Sequence, residues 1–217
     1  MKGYRGIYNK FIKRILDVII SSCFLCILSP FYVLVSLAIF IEDGFPIFYK
    51  AERGGYKGKK FKICKFRSMV KNADKIGGGT TAFRDSRITK VGNFIRKTKL
   101  DEIPQFWQVF IGKMSIIGPR PELLKYVNMY RDDEMDILQV RPGITDFSSV
   151  EFINLDELVG DQNADEVYEK KVLKRKNELR LKYAREVSFE TDCIILMKTF
   201  YAVINKAYAF IVKKEHR

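Results

Sequence analysis

The sequence holds a single histidine, His216, next to its last residue. Histidine-based triads and histidine-rich metal sites are therefore excluded as working assumptions. Any acid, base or nucleophile must come from Asp, Glu, Lys, Tyr, Ser or Cys. Cysteine is also scarce: Cys23, Cys26, Cys64 and Cys193 form no metal-binding pattern and no disulfide framework, which suits a reducing compartment. Cys23 and Cys26 have CxxC spacing but sit inside an apolar run, where they read as small apolar fillers. The triple glycine Gly77-Gly78-Gly79 is followed by no Gly-Lys-Ser/Thr, so it is not a P-loop. No internal repeat is visible.

What is plentiful is positive charge. Lys and Arg number 39 against 26 Asp and Glu, a net charge of +13 over 217 residues. That balance favours anionic partners, whether nucleic acid, anionic lipid or phosphorylated substrates, and does not choose among them. The length suits one compact domain with a membrane element.

From Ile15 to Ile41 the one side chain expected to be charged is Asp17. A helix of this length reaches roughly 40 Å, enough to span a bilayer with tilt. Two features favour another path. Ser29-Pro30 lies mid-segment, where proline removes a backbone donor and predicts a break, with Ser29 available to bond a freed carbonyl. Both flanks are basic: Lys10, Lys13 and Arg14 before, Lys50, Arg53 and Lys57 after. Basic flanks prefer the cytoplasmic side, so a re-entrant segment entering and leaving on one face stands beside a simple span.

Downstream, Pro46–Arg53 and Lys59–Phe66 read as a β-hairpin turned at residues 54–58. Residues 71–86 read as a loop, with a lid over a site as its functional reading. Val91–Thr98 and Glu102–Phe110 read as short helices, and Leu123–Arg131 as a third. Residues 118–122 and 141–145 read as rigid turns. Tyr168–Tyr183 is a charged helix. Cys193–Val212 reads as an amphipathic helix in the membrane interface, its tyrosines at headgroup level, with a core helix of the globular domain as the competing reading. The expected fold is α+β and mainly α: a re-entrant helix-break-helix over 1–43, then a cytoplasmic-face catalytic domain over 44–217 with a small hairpin and interfacial helices.

The chemistry concentrates at Leu100-Asp101-Glu102-Ile103-Pro104. Proline in a first turn predicts a helix starting near Asp101 or Glu102, whose dipole would help keep Asp101 ionised and attract phosphate. A carboxylate beside phosphate serves as a nucleophile on phosphorus or as a Mg²⁺ ligand. Taken alone, an Asp-Glu pair is also an ordinary helix start. Around it lie Lys65, Arg67, Arg96, Arg120 between two prolines, and Arg141 before another. Arginine presents a planar fork suited to phosphate oxygens.

The runs Lys65-Phe66-Arg67-Ser68-Met69, Arg96-Lys97-Thr98, Leu100-Asp101-Glu102-Ile103-Pro104-Gln105, Met114 to Pro121 and Arg141-Pro142-Gly143-Ile144-Thr145 together resemble the monotopic bacterial sugar transferases. These are polyprenyl-phosphate phosphoglycosyl transferases. The resemblance covers about Arg14 to Thr145 in order, and more weakly reaches Thr199. It implies a re-entrant element broken at Ser29 and Pro30, in a minimal form without a multi-helix extension. It also implies catalysis and Mg²⁺ binding at Asp101 and Glu102, and phosphate or nucleotide handling by Lys65, Arg96 and Arg120. The implied reaction moves a sugar phosphate from a UDP-sugar to polyprenyl (undecaprenyl) phosphate through an aspartyl intermediate, releases UMP and starts glycan assembly. The implied location is the cytoplasmic face of the bacterial inner membrane, in contact with membrane lipid. A homo-oligomer is compatible with this; nucleic acid is not an expected partner. The sequence departs from the family at Lys113, at Asp146 where glycine is common, and at Ser86 within Asp85-Ser86-Arg87, which leaves the donor sugar open.

Two other readings use the same residues. A membrane-anchored basic adaptor explains the charge and the apolar run but not the ordered arginines around Asp101-Glu102. A glycosyltransferase that passes sugar without phosphate would release UDP instead of UMP.

Overall fold

The computed structural model describes residues 2–76, 80–82 and 85–215. The triple glycine and His216 lie outside them. The apolar run forms helix α1, Lys13–Asp43, continuing a π-helical turn at Tyr8–Ile12. Tyr8–Asp43 is, among the described residues, the one segment long and apolar enough to cross a membrane by length and composition.

The break expected at Ser29-Pro30 is not seen: α1 is helical through Pro30. Proline leaves the carbonyl four residues back without its N–H partner. That carbonyl belongs to Cys26, and Ser29 Oγ donates to it at 2.9 Å. The serine thus supplies the donor that the proline lacks, and the helix continues.

Strands β1 (Phe48–Gly54) and β2 (Lys60–Phe66) pair antiparallel as the predicted hairpin, with Phe48 opposite Phe66. A short helix α2 (Ala73–Ile76) falls in the expected loop. Helix α3 (Lys90–Lys97) is capped by Thr89, whose side chain accepts from Gly92 N at 2.9 Å. The helix predicted from Glu102 is split. A 3-10 turn covers Leu100–Glu102, and α4 (Gln105–Phe110) starts only after Pro104.

The expected turn at 141–145 contains a strand, and a second strand precedes the turn at 118–122. β3 (Ser115–Ile117) and β4 (Gly143–Thr145) form a parallel pair, with Ser115 opposite Gly143 and Ile117 opposite Thr145. Three-residue strands are too short for a periodicity signal, and their pairing spans a distance in sequence that local patterning does not record. The pair depends on close backbone approach: a Cβ on Gly143 would lie 2.1 Å from Gly118 N.

The remaining helices are α5 (Leu124–Val127), α6 (Phe147–Glu151), α7 (Leu155–Val159), α8 (Ala164–Val167), α9 (Leu173–Glu186) and α10 (Phe189–Glu215). The molecule is mainly helical with small sheets.

Both ends of α1 are fastened to the same body. At its start Arg14 donates to the carbonyls of Val109 and Phe110 at 2.6 and 2.7 Å, and Asp17 accepts from Ser115 Oγ and Ile116 N. Lys13 pairs with buried Asp192 of α10, which also accepts from Tyr8 and Tyr183 hydroxyls at 2.7 Å each. Midway, Phe24 stacks on Phe106 at 4.7 Å. At its end Val35 and Ile39 pack with Phe66, Ile95 and Ile103, and Glu42 accepts from the first N–H groups of α3.

The outward side of α1 stays apolar: Ile19, Ile27, Val33, Leu37 and Ile41 are exposed. Trp107 and Ile111, and Met197, Phe200 and Tyr201 on α10, are exposed as well. Exposed apolar surface on this scale marks an interaction face.

Candidate active site

The hairpin, the parallel pair and the turn between α3 and α4 converge on Glu102. Lys65 is the penultimate residue of β2, and its Nζ donates to Glu102 Oε1 at 2.8 Å. Arg120 follows β3 and reaches back with its full fork: Nη2 donates to Oε1 at 2.5 Å and Nη1 to Oε2 at 2.7 Å. Nη1 also donates to Ile144 O on β4 at 2.6 Å. Both carboxylate oxygens of Glu102 are thus engaged. Burial pushes its carboxyl up, but Arg120 and Lys65 outweigh that and hold it well below the usual carboxylate range.

Asp101 is buried beside it, yet differently served. Its ion-pair partner among the described residues is Lys65, at 4.0 Å from Oδ2. Burial raises its carboxyl above the ordinary value, against the pull of Lys65, while the Glu102 charge adds to the rise. This corrects the expectation that a helix dipole keeps Asp101 ionised: Asp101 lies in the 3-10 turn, and α4 begins four residues later. A carboxylate that is little hydrogen-bonded, partly desolvated and close to cations is a better nucleophile than one saturated by arginine.

Proline and glycine place Arg120. Gly118 N donates to Thr145 O at 2.9 Å, and Gly143 N to Pro119 O at 3.0 Å, so the two proline-bearing turns lock together. The buried Asp146 carboxylate accepts from Arg120 N at 3.3 Å and from Ser148 and Ser149, capping α6. Beyond it, Glu122 accepts from Arg180 at 2.8 Å and Tyr168 at 2.6 Å, all three buried.

The other predicted cations fall in two groups. Arg96, on α3, donates to Ser68 Oγ at 3.4 Å and acts electrostatically on Asp101. It is brought there by Gly92, where a Cβ would meet Ser68 O at 1.9 Å. Arg67 and Arg141 are elsewhere engaged. Buried Arg67 pairs with Asp43 at 3.0 Å and donates to Gly44 O, closing the end of α1. Arg141 donates to Gly112 O at 3.2 Å and lies over the Tyr56 ring. Both arginines thus have long-range partners within the fold that sequence spacing does not reveal.

Glu122, Asp146 and Lys99 were not singled out as functional from sequence. Glu122 stood inside the rigid turn at 118–122 and Asp146 at a departure from the family pattern, so both were visible without a role.

The donor set for a metal is oxygen only. Among the described residues no cluster of three or more His, Cys, Asp or Glu is poised for a metal. Asp101, which makes only a 4.0 Å ion pair with Lys65 among the described residues, offers the carboxylate oxygen that Mg²⁺ takes alongside waters and substrate phosphates.

A sequence profile of bacterial sugar transferases matches residues 8–206. The chain is 36% identical over 204 residues to a UDP-glucose:undecaprenyl-phosphate glucose-1-phosphate transferase of Escherichia coli K12, covering 92% of this chain and 42% of the relative. It is 37% identical over 144 residues to a UDP-N-acetylgalactosamine-undecaprenyl-phosphate N-acetylgalactosaminephosphotransferase of Aeromonas hydrophila, covering 64% and 34%. A Bacillus subtilis 168 protein named as a putative undecaprenyl-phosphate N-acetylgalactosaminyl 1-phosphate transferase is 39% identical over 122 residues, covering 56% and 68%. The chain spans about two-fifths of the length of the Escherichia coli relative. On its matched length, its ordered motifs and its Asp-Glu site, the chain belongs to the bacterial sugar transferase family.

Proposed function

We propose that this protein transfers a sugar 1-phosphate from a UDP-sugar to undecaprenyl phosphate at a membrane surface. The observation that carries the reading is the unequal dyad: Glu102 is saturated by Arg120 and Lys65, while Asp101 keeps lone pairs free beside the same cations. The names of the relatives supply the substrate classes.

In this reading an Asp101 oxygen attacks the β-phosphorus of the donor. The bond from that phosphorus to the bridging oxygen breaks, and UMP leaves with the electron pair. The phosphate oxygen of undecaprenyl phosphate then attacks the same phosphorus, and the aspartyl–phosphorus bond breaks to restore the carboxylate. Glu102 holds Arg120 and Lys65 in place, and its negative charge keeps them from quenching Asp101. Arg96 and Lys65 stabilise charge on the transferring phosphoryl group. Mg²⁺, held by Asp101 and substrate oxygens, would supply further neutralisation of that charge.

The membrane reading rests on α1 and its neighbours. A helix whose start, middle and end all bond to one body does not carry that body's two ends to opposite sides of a bilayer. This supports a reading in which both ends of α1 stay at the cytoplasmic face, with the exposed apolar sides of α1, α4 and α10 in lipid. The sugar phosphate so loaded starts a glycan on its lipid carrier.

The test is nucleotide release from a panel of UDP-sugars in the presence of undecaprenyl phosphate. UMP release with a lipid-linked sugar phosphate is the expected result. UDP release would indicate plain glycosyl transfer, and no release with any donor would overturn the reading.

A further inference from the structure

The donor's diphosphate needs cations that are free to receive it, and most of those near the dyad are taken. Arg120 is committed to Glu102 and Ile144 O, Lys65 bonds Glu102, Arg67 is committed to the end of α1, and Arg96 donates to Ser68 Oγ at 3.4 Å. Lys99 is different. It stands two residues before Asp101, its side chain is exposed, and among the described residues its Nζ makes no hydrogen bond or ion pair. Desolvation lowers its ammonium below the ordinary lysine value, while Glu102 and Asp101 pull it back up and Arg120 adds to the fall.

Its backbone is the second, independent observation. Lys99 has φ +60° and ψ +12°, the left-handed conformation, where it closes α3 through its N–H to Arg96 O at 3.2 Å. That position is filled most cheaply by glycine or asparagine, and a long side chain there is under strain. Strain of this kind persists at sites where the side chain is used. Among the described residues the ammonium makes no hydrogen bond or ion pair that would offset it. The left-handed turn also directs the chain from α3 into the dyad, which fixes Lys99 and Asp101 relative to each other.

We propose that Lys99 is a further free cation that, beside Arg96 and Lys65, receives the diphosphate of the nucleotide-sugar donor at the dyad. This rests on the sugar-phosphate transfer reading. The ammonium contributes to donor capture and, being a point charge on a flexible stem, follows the phosphate as the bridging bond lengthens.

The test compares Lys99→Gly and Lys99→Arg with wild type, as full chains in lipid nanodiscs, with a UDP-sugar that wild type turns over. Lys99→Gly relieves the strained backbone and removes the charge. It is expected to melt a few degrees higher while its KM for the donor rises about tenfold or more. Its KM for undecaprenyl phosphate should stay as in wild type. Lys99→Arg should recover most of the donor affinity without the gain in melting temperature. A Lys99→Gly protein with unchanged donor KM, whatever its melting temperature, overturns the proposal and leaves Lys99 a helix terminator. Wild type that turns over no nucleotide sugar ends the transfer reading and this inference with it.

Discussion

Arg120 and Glu102 face each other fork to fork, at 2.7 Å and 2.5 Å, at a point where three separate chain segments meet. Glu102 is buried and Arg120 half-buried, with side-chain exposures of 11% and 26%. Breaking such a pair by neutralising one partner leaves the other charge uncompensated. Glu102→Gln is expected to cost about 3 kcal/mol of stability and to lower turnover, because Arg120 and Lys65 lose their anchor and turn on Asp101. Thermal melting in nanodiscs checks the first effect and UMP release the second.

Asp101→Asn should behave in the opposite way on stability. Its carboxyl is buried with weaker compensation, so removing the charge is neutral or stabilising, while turnover falls by on the order of 10³-fold or more. A melting temperature equal to or above wild type, with loss of UMP release, is the expected pairing. A large loss of stability would show that the carboxylate serves the fold instead.

The legibility of this sequence divides by range. The hairpin was readable because alternating apolar residues and a glycine-rich turn act locally, and the structure pairs Phe48–Gly54 with Lys60–Phe66. The dyad stands out in sequence through the family resemblance, since Asp-Glu before proline alone is also an ordinary helix start. What could not be read was partnership. Arg67, Arg120 and Arg141 look alike in sequence, each braced or flanked by order-forming residues. Only Arg120 is carried to the dyad, by a parallel pair of three-residue strands that no periodicity announces. Pro30 misled in the same way: a proline predicts a break, but a serine one residue earlier supplies the missing donor.

The Asp192 hub joins α1 to α10. Lys13, Tyr8 and Tyr183 all depend on this buried carboxylate. Asp192→Ala should cost about 3–5 kcal/mol, through an unpaired buried lysine and two hydroxyls without acceptors. A thermal melt is the measurement, and a shift smaller than 1 kcal/mol equivalent would show the hub to be dispensable.

Lys176 gives a pH signature. Burial lowers its ammonium to about 7, with Arg180 adding to the fall, and it lies over the Tyr168 ring at 5.0 Å. Its folded value is below its unfolded value near 10.5, so between about pH 7 and 10 the unfolded chain holds the extra proton. Stability should therefore rise with pH across that window, by at most about 1.4 kcal/mol per pH unit. Below pH 7 the cost of the buried charge is fully present. Lys176→Met should flatten the slope in denaturant titrations run at several pH values.

Topology has a direct assay. In a chain with its native cysteines replaced, single cysteines at Ile7 and Phe45, both exposed and flanking α1, should react with an impermeant maleimide from the same side of sealed vesicles. Reaction from opposite sides would establish a spanning helix.

The covalent step is tested most directly by mass spectrometry of the protein after exposure to a productive UDP-sugar and Mg²⁺ with no lipid acceptor. The account predicts an added sugar phosphate mapping to the peptide that contains Asp101, absent in Asp101→Asn and discharged when undecaprenyl phosphate is added. Lipid product formed at full rate with no adduct on the protein, or an adduct on another residue, would contradict it.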